Sequence, residues 1–350
     1  MKDMMLKNFA IRLSLGLLFS AMLLPQSKGQ ENRIVHLGLL YPLSTNGTQA
    51  LQLSNTFSFH AIGGLSAGEK ALALYGVAGI IKGPAQGLQA SGALNYTSGT
   101  QHGVQMAGIA NLVHTSGQGA QLAGATNSNR GDMRGIQMAG IANLAKNLDG
   151  FQIAGAVNKA SDVRGMQMAG IANKAKNVRG LQLAPVNIAE SSDYPIGLVN
   201  IVKSGEKRIG LSLDESLTSL VSFRSGGRVL YGILGIGGNF SNDTDLRYGI
   251  EGGIGAHIVQ AENFRFEVEA SQLTLTKFSR KTFHKSSLRL LPSVKLNNSL
   301  WLFAGPTASY SQTNDLESRD LVKWDVWDKL SNDQFQAIHF GAIAGVHVIL

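Results

Sequence analysis

The chain has no cysteine among its 350 residues. That excludes disulfides, thiolate metal ligands and a lipid-modified cysteine after an export signal. Stability must then come from burial and hydrogen bonding. Charge is also scarce, at 15% of residues beside 42 glycines, a balance that favours a β-rich exported protein over a soluble α/β enzyme. The net charge is +8, but four Lys/Arg and one Asp fall in the first 29 residues, so +5 remains on the rest, spread along it. No run of Lys/Arg interleaved with aromatics occurs, and nucleic acid is not an expected partner. Neither a Gly-Lys-Ser/Thr phosphate loop nor a dinucleotide fingerprint opening a helix is present, so Gly235-Ile-Gly-Gly238 reads as a site of bending or close packing. The histidines are scattered, and His339 and His347 on one strand are too far apart to hold a single ion. No metal or cofactor is expected.

What the chain has instead is a phrase repeated seven times between about Gly87 and Asn187. Three copies are identical: Gln105-Met-Ala-Gly-Ile-Ala-Asn111, Gln137 to Asn143 and Gln167 to Asn173. Looser copies start at Gln89, Gln121, Gln152 and Gln182, at spacings of 16, 16, 16, 15, 15 and 15 residues, each with a glycine two places before its glutamine. Two glycines per copy weaken a helix by roughly 1 kcal/mol each. Each copy therefore reads as one strand of about nine to eleven residues and a turn. Copies ending Gly-Ile-Ala-Asn alternate with others, which suggests a period of two copies. An up-and-down hairpin series gives that alternation, and so does a β-solenoid whose coil holds two copies, with Gln and Asn stacked in ladders. Gln105, Asn111, Gln137, Asn143, Gln167 and Asn173 are the candidate ligand-binding residues, as a regular surface for glycan; the competing reading is that they satisfy one another.

At the N-terminus, Lys2, Lys7 and Arg12 precede an apolar run from Leu13 to Leu24, closed by Pro25 and small residues at Ser27 and Gly29. This reads as a secretory signal over residues 1–29, too short to span a bilayer. An N-terminal β segment (30–68), a repeat region (69–205) and a C-terminal β-strand region (206–350) follow. The repeat register extends back to Ala73 if that residue takes the glutamine's place.

The entry Phe57-Ser-Phe-His-Ala-Ile-Gly-Gly-Leu-Ser-Ala-Gly68, the Gln-x-Ala-Gly-x-x-Asn copies and the exit Ser192-Asp-Tyr-Pro-Ile-Gly-Leu-Val-Asn-Ile-Val-Lys-Ser-Gly205 resemble the "surface repeat" proteins of Gram-negative bacteria. The resemblance implies an exported, envelope-associated protein and supplies no catalytic residues.

Beyond Gly205 the residues grow larger and alternate. Tyr248, Ile250, Ile254 and Ile258 oppose Arg247, Glu251 and His257; Phe264, Phe266, Val268 and Ala270 oppose Arg265, Glu267 and Glu269. Ile338, Phe340, Ala342, Ala344, Val346, Val348 and Leu350 share one face to the end of the sequence. Several such strands of about ten residues form the pattern of an outer-membrane β-barrel. Lys277 to Ser287 and Ser311 to Asp320 then read as loops, and Trp301, Phe303, Trp324 and Trp327 as candidates for an aromatic girdle. Glu251, Glu267 and Glu269 with Arg247 and Arg265 are the nearest approach to an acid/base site, for a periplasmic hydrolase; an ion-paired barrel lumen is the simpler reading.

The fold class is therefore all-β: an antiparallel barrel or barrel-like sheet that includes the repeat strands, or alternatively a β-solenoid plus a C-terminal β-domain. The functional expectation is a non-catalytic protein of the outer membrane or cell surface, with a structural, adhesive or pore role and membrane lipid as partner. The alternative is a soluble periplasmic or surface solenoid that binds glycan or protein.

Overall fold

The computed structural model describes residues 31–239, 247–278, 281–331 and 334–350; the signal segment lies outside them. The chain is all-β, and the two architectures weighed from the sequence fall on different parts of it. It divides after Ala139 into two compact units.

The first unit is a parallel β-solenoid. Each copy of the repeat supplies two strands, not one: a long strand such as Gln101–Ala107 and a short one such as Ala110–Val113. Long strands pair with long and short with short, all parallel and in register, Gln105 opposite Gln121 and Asn111 opposite Asn127. One copy thus closes one coil, so neither the hairpin series nor the two-copy coil is the arrangement formed. The bend at Gly108 and Ile109 breaks the alternation, so Gln105, Ala107 and Asn111 point inward while Ile109 is thrown out to 58% exposure.

Both glycines of the phrase have a steric cause. The one before the glutamine adopts positive φ, as at Gly103 and Gly119 (+112° and +115°), a region costly for residues with a Cβ. At the bend, a Cβ on Gly108 or Gly124 would strike the carbonyl oxygen of the corresponding glycine one coil earlier.

The coil register extends further back than the repeat phrase. Ala73 lies opposite Gln89, Ser58 opposite Ala73, and His36 opposite Ser58. The segment read as a separate N-terminal region thus occupies the same columns as the coils.

The second unit opens with more coils of the same kind, with Gln152, Gln167 and Gln182 in one column and Asn143, Asn158, Asn173, Asn187 and Asn200 in another. It continues into a closed antiparallel barrel. The eight strands are Lys207–Asp214, Thr218–Gly226, Leu230–Asn239, Arg247–Gln260, Phe264–Thr276, Thr282–Lys295, Leu300–Thr313 and Gln334–Ile349, and the last pairs with the first. Asp325–Ser331 adds an exposed strand beside the N-terminal half of Gln334–Ile349. Part of the stretch read as a loop at Lys277–Ser287 belongs to Thr282–Lys295, whose Lys285 and Ser287 are buried.

The barrel is inverted relative to a water-soluble one. Ile209, Leu211, Val221, Ile236, Ile250, Leu302, Ile338, Phe340 and Val348 are exposed on its outer face. Ser212, Arg224, Glu251, Glu269, Lys285, Arg289, Ser311 and His339 are buried between them in the strand alternation. An eight-stranded barrel has an interior just wide enough for side chains to fill.

Candidate functional site

The barrel lumen holds the densest chemistry among the described residues. Glu267 and Glu269 project inward from one strand, Glu251 from its neighbour, and all three are at most 1% exposed. The strand period of two puts them on the inner face. Glu269 receives a two-pronged contact from Arg224, Nε to Oε1 at 2.7 Å and Nη2 to Oε2 at 3.1 Å, and accepts the Tyr231 hydroxyl at 2.9 Å. Arg289 donates to Glu251 and stands 3.7 Å from Glu269. Glu267 meets Arg208 at 2.7 Å and His257 Nδ1 at 2.7 Å. Nearer one end, Lys285 bridges Asp214, at 3.0 Å, and Glu215.

The partners differ from those anticipated. Arg247 pairs with Asp315 at 3.8 Å. Arg265 donates to Glu206 at 2.8 Å and stacks over Trp301, 4.1 Å from the ring centroid. The carboxylates are instead matched by Arg208, Arg224 and Arg289, whose alternation in their own strands was legible but whose pairing across the lumen was not. A carboxylate held between guanidinium groups is an anchored anion, and each buried charge is offset by an opposite one. Trp301 and Phe303 also point inward, at 3% and 1% exposure, and so do not belong to a girdle; Trp324 and Trp327 are exposed. His339 and His347 are buried in the lumen, with His347 stacked on Phe303 at 4.3 Å between centroids.

The amides singled out in the repeat lie inside the coils. Gln105, Asn111, Gln137, Asn143, Gln167 and Asn173 are all fully buried. Gln105 donates to Gln89 at 2.6 Å, Gln121 to Gln105 at 3.1 Å and Gln137 to Gln121 at 2.8 Å; in the second unit Gln167 donates to Gln152 at 2.8 Å. Asn111 donates to Asn127 at 2.9 Å and to the Leu122 carbonyl at 2.7 Å, while Asn143 and Asn173 do the same with Asn158 and Asn187. These side chains satisfy one another and the backbone, as buried amides must, and none faces a surface where a glycan would lie. The outward faces are mixed: Leu88, Met106, Leu122, Ile136 and Met138 point outward, as do Ile109, Ile141 and Ile171 at the bends, beside a column of exposed polar residues that includes His102, Gln118 and Arg134.

A second polar cluster, unnoticed in the sequence, closes the Gln column in the first unit. His36 contacts Ser44 Oγ at 2.9 Å through Nε2, and its Nδ1 lies 3.3 Å from both Asn55 Nδ2 and His60 Nε2. Glu69, 2% exposed, accepts from Ser58, Asn55 and Tyr75. Burial pushes the Glu69 carboxyl up to about 7, against the opposing pull of its Ser66, Ser58, Asn55 and Tyr75 hydrogen bonds. Burial, and then the neighbouring His60, bring the His36 ring down to about 4. A neutral acid beside a neutral imidazole is the form this pocket favours at mildly acid pH. The residues are 33 positions apart in sequence, so only the coil register could have brought them together.

No group of three or more His, Asp or Glu side chains with metal-binding geometry occurs among the described residues. No family model, curated protein or solved structure matches the chain.

Proposed function

We propose that this is a non-catalytic outer-membrane protein, in which the barrel is the lipid-embedded anchor and the coils form a structural or adhesive array. The observation that carries this reading is the inverted barrel: its exposed face is apolar and its buried face holds paired charge. In water such an outer face loses the hydrophobic term that folding depends on, whereas in hydrocarbon it costs nothing and a closed barrel leaves no backbone group unpaired. Strands of 8 to 16 residues suit tilted crossings, which need about 9–11. The N-terminal export signal read in the sequence and the resemblance to surface repeat proteins support the same location.

Among the expected roles, the lumen favours anchoring over conduction. Arg224, Glu267, Glu269, Leu291, Phe303 and His347 are each at most 1% exposed, which leaves no continuous water path beside them. The same pairing weighs against a hydrolase, since each carboxylate is neutralised by an arginine and shielded from any substrate.

The test is envelope fractionation followed by an alkaline carbonate wash. Retention of the chain in the outer-membrane pellet, with release only by detergent, is the expected result. Release by carbonate would overturn the anchor and favour a soluble or peripheral array.

A further inference from the structure

Within the second unit, the bends of four successive coils face the outer wall of the barrel across an open apolar groove of about 1470 Å³. Its coil side carries Met168, Leu183 and Leu198, and its barrel side Ile254, Leu288 and Ile338. The last coil closes one end. A Cβ on Gly232 of the barrel wall would strike the Gly197 carbonyl, and one on Gly252 would lie 3.2 Å from Leu198 Cδ2. Glycine and alanine at Gly155, Gly170, Gly252, Ala270 and Ala308 keep large side chains out of the space.

None of the 27 lining residues is Asp, Glu, Lys, Arg or His. The occupant therefore presents no charge to the groove. A peptide segment is a poor fit, because its backbone N–H and C=O groups need partners when buried, and the barrel strands that line the groove are each paired on both sides. The volume exceeds the roughly 300–1,000 Å³ of ordinary small-molecule sites. The barrel side of the groove is also continuous with the apolar outer face, where Ile250, Leu288, Tyr310 and Ile338 are all exposed.

We propose that this groove holds acyl chains of bilayer phospholipid, lying along the barrel wall beneath the coil bends with their headgroups outside it. The inference rests on the reading of that wall as lipid-facing, and adds a defined lipid site to it. Chains held there are enclosed on two sides by protein, so they exchange more slowly than the lipid around the rest of the barrel.

The full chain, purified in detergent from its membrane, is assayed for bound phospholipid by native mass spectrometry and by phosphorus content. Ala308→Trp fills the groove from an exposed position, and Leu302→Trp places the same bulk on the outer wall away from it. Wild type and Leu302→Trp retain phospholipid, while Ala308→Trp retains several-fold less with an unchanged β-sheet spectrum. Absence of lipid from the wild type, free fatty acid in place of phospholipid, or equal retention in Ala308→Trp overturns the proposal. A carbonate wash of the membranes before detergent is added separates the two readings. A chain that stays integral but carries no lipid loses only the groove, whereas a chain that carbonate releases with its lipid loses only the anchor.

Discussion

Removing Glu269 leaves Arg224 buried without its carboxylate, and removing Arg224 leaves Glu269 buried with only Arg289, 3.7 Å away. Such breaks cost about 3–5 kcal/mol, while replacing both partners with apolar groups of similar volume is often near neutral. Arg224→Met and Glu269→Leu are each expected to destabilise the barrel by about that amount, and the double variant to recover most of it. Urea unfolding of the refolded protein, read as a double-mutant cycle, checks this. Costs under about 1 kcal/mol for the single changes would mean the pair is solvated and the lumen open. Glu69 makes a pH-dependent case. Its native carboxyl is raised to about 7 from an ordinary 4.5, so the folded state holds the proton more tightly than the unfolded one. The stability it contributes is full below about 4.5 and is lost as pH rises to about 7. His36, lowered to about 4 from 6.5, acts oppositely and loses stability as pH falls through that window. Glu69→Gln keeps the acceptor for Asn55 and Tyr75 and removes the charge. Amide exchange in Gly68–Tyr75 should then slow relative to wild type as pH rises from 5 to 8, by a ceiling of about 3 kcal/mol. Equal pH dependence in both proteins would show that Glu69 is ionised throughout.

At the level of elements, the sequence spoke most clearly where periodicity was unbroken. The barrel strands run over 8 to 16 residues and mostly alternate, so the assignment of Ile338, Phe340 and Val348 to one face and of His339 and His347 to the other was legible. The repeat was legible as a repeat, with a solenoid as one of its two readings, but one copy per coil was not legible. Gln105 to Asn111 looks like one strand because its spacing of two continues through Ile109, yet the bend at Gly108 divides it between two sheets. The signal for that bend was already present, since glycine recurs there in nearly every copy, and only the stacking of one glycine on the carbonyl of the last explains why. Parallel in-register stacking also explains why Gln and Asn recur: an amide can donate to and accept from its own copy above and below, which no apolar side chain does. The Glu69 cluster was illegible because its members share no local pattern, and the arginine partners of Glu251, Glu267 and Glu269 because pairing across a closed lumen depends on strand order and shear.

Across the molecule, barrel and coils share one feature. In each, polar side chains paired with one another are buried among apolar ones, by ion pairs in the barrel and amide ladders in the coils, and the barrel's exposed face is largely apolar. Buried polar groups of this kind are tolerated only when each has its partner, and an apolar exterior is tolerated only where water is scarce or another surface covers it. The solvent that the barrel wall meets can therefore be read from a single substitution. Phe340 stands near the middle of Gln334–Ile349 and is 58% exposed. In water an arginine at such a site changes stability by about 0.5 kcal/mol or less. Facing lipid near the midplane it costs about 2–4 kcal/mol. Phe340→Arg, compared with wild type by urea titration in phospholipid vesicles, is expected to show the larger loss, together with less chain recovered in the carbonate-resistant pellet. A near-neutral result would place this wall in water, and the apolar outer face would then have to be covered by protein.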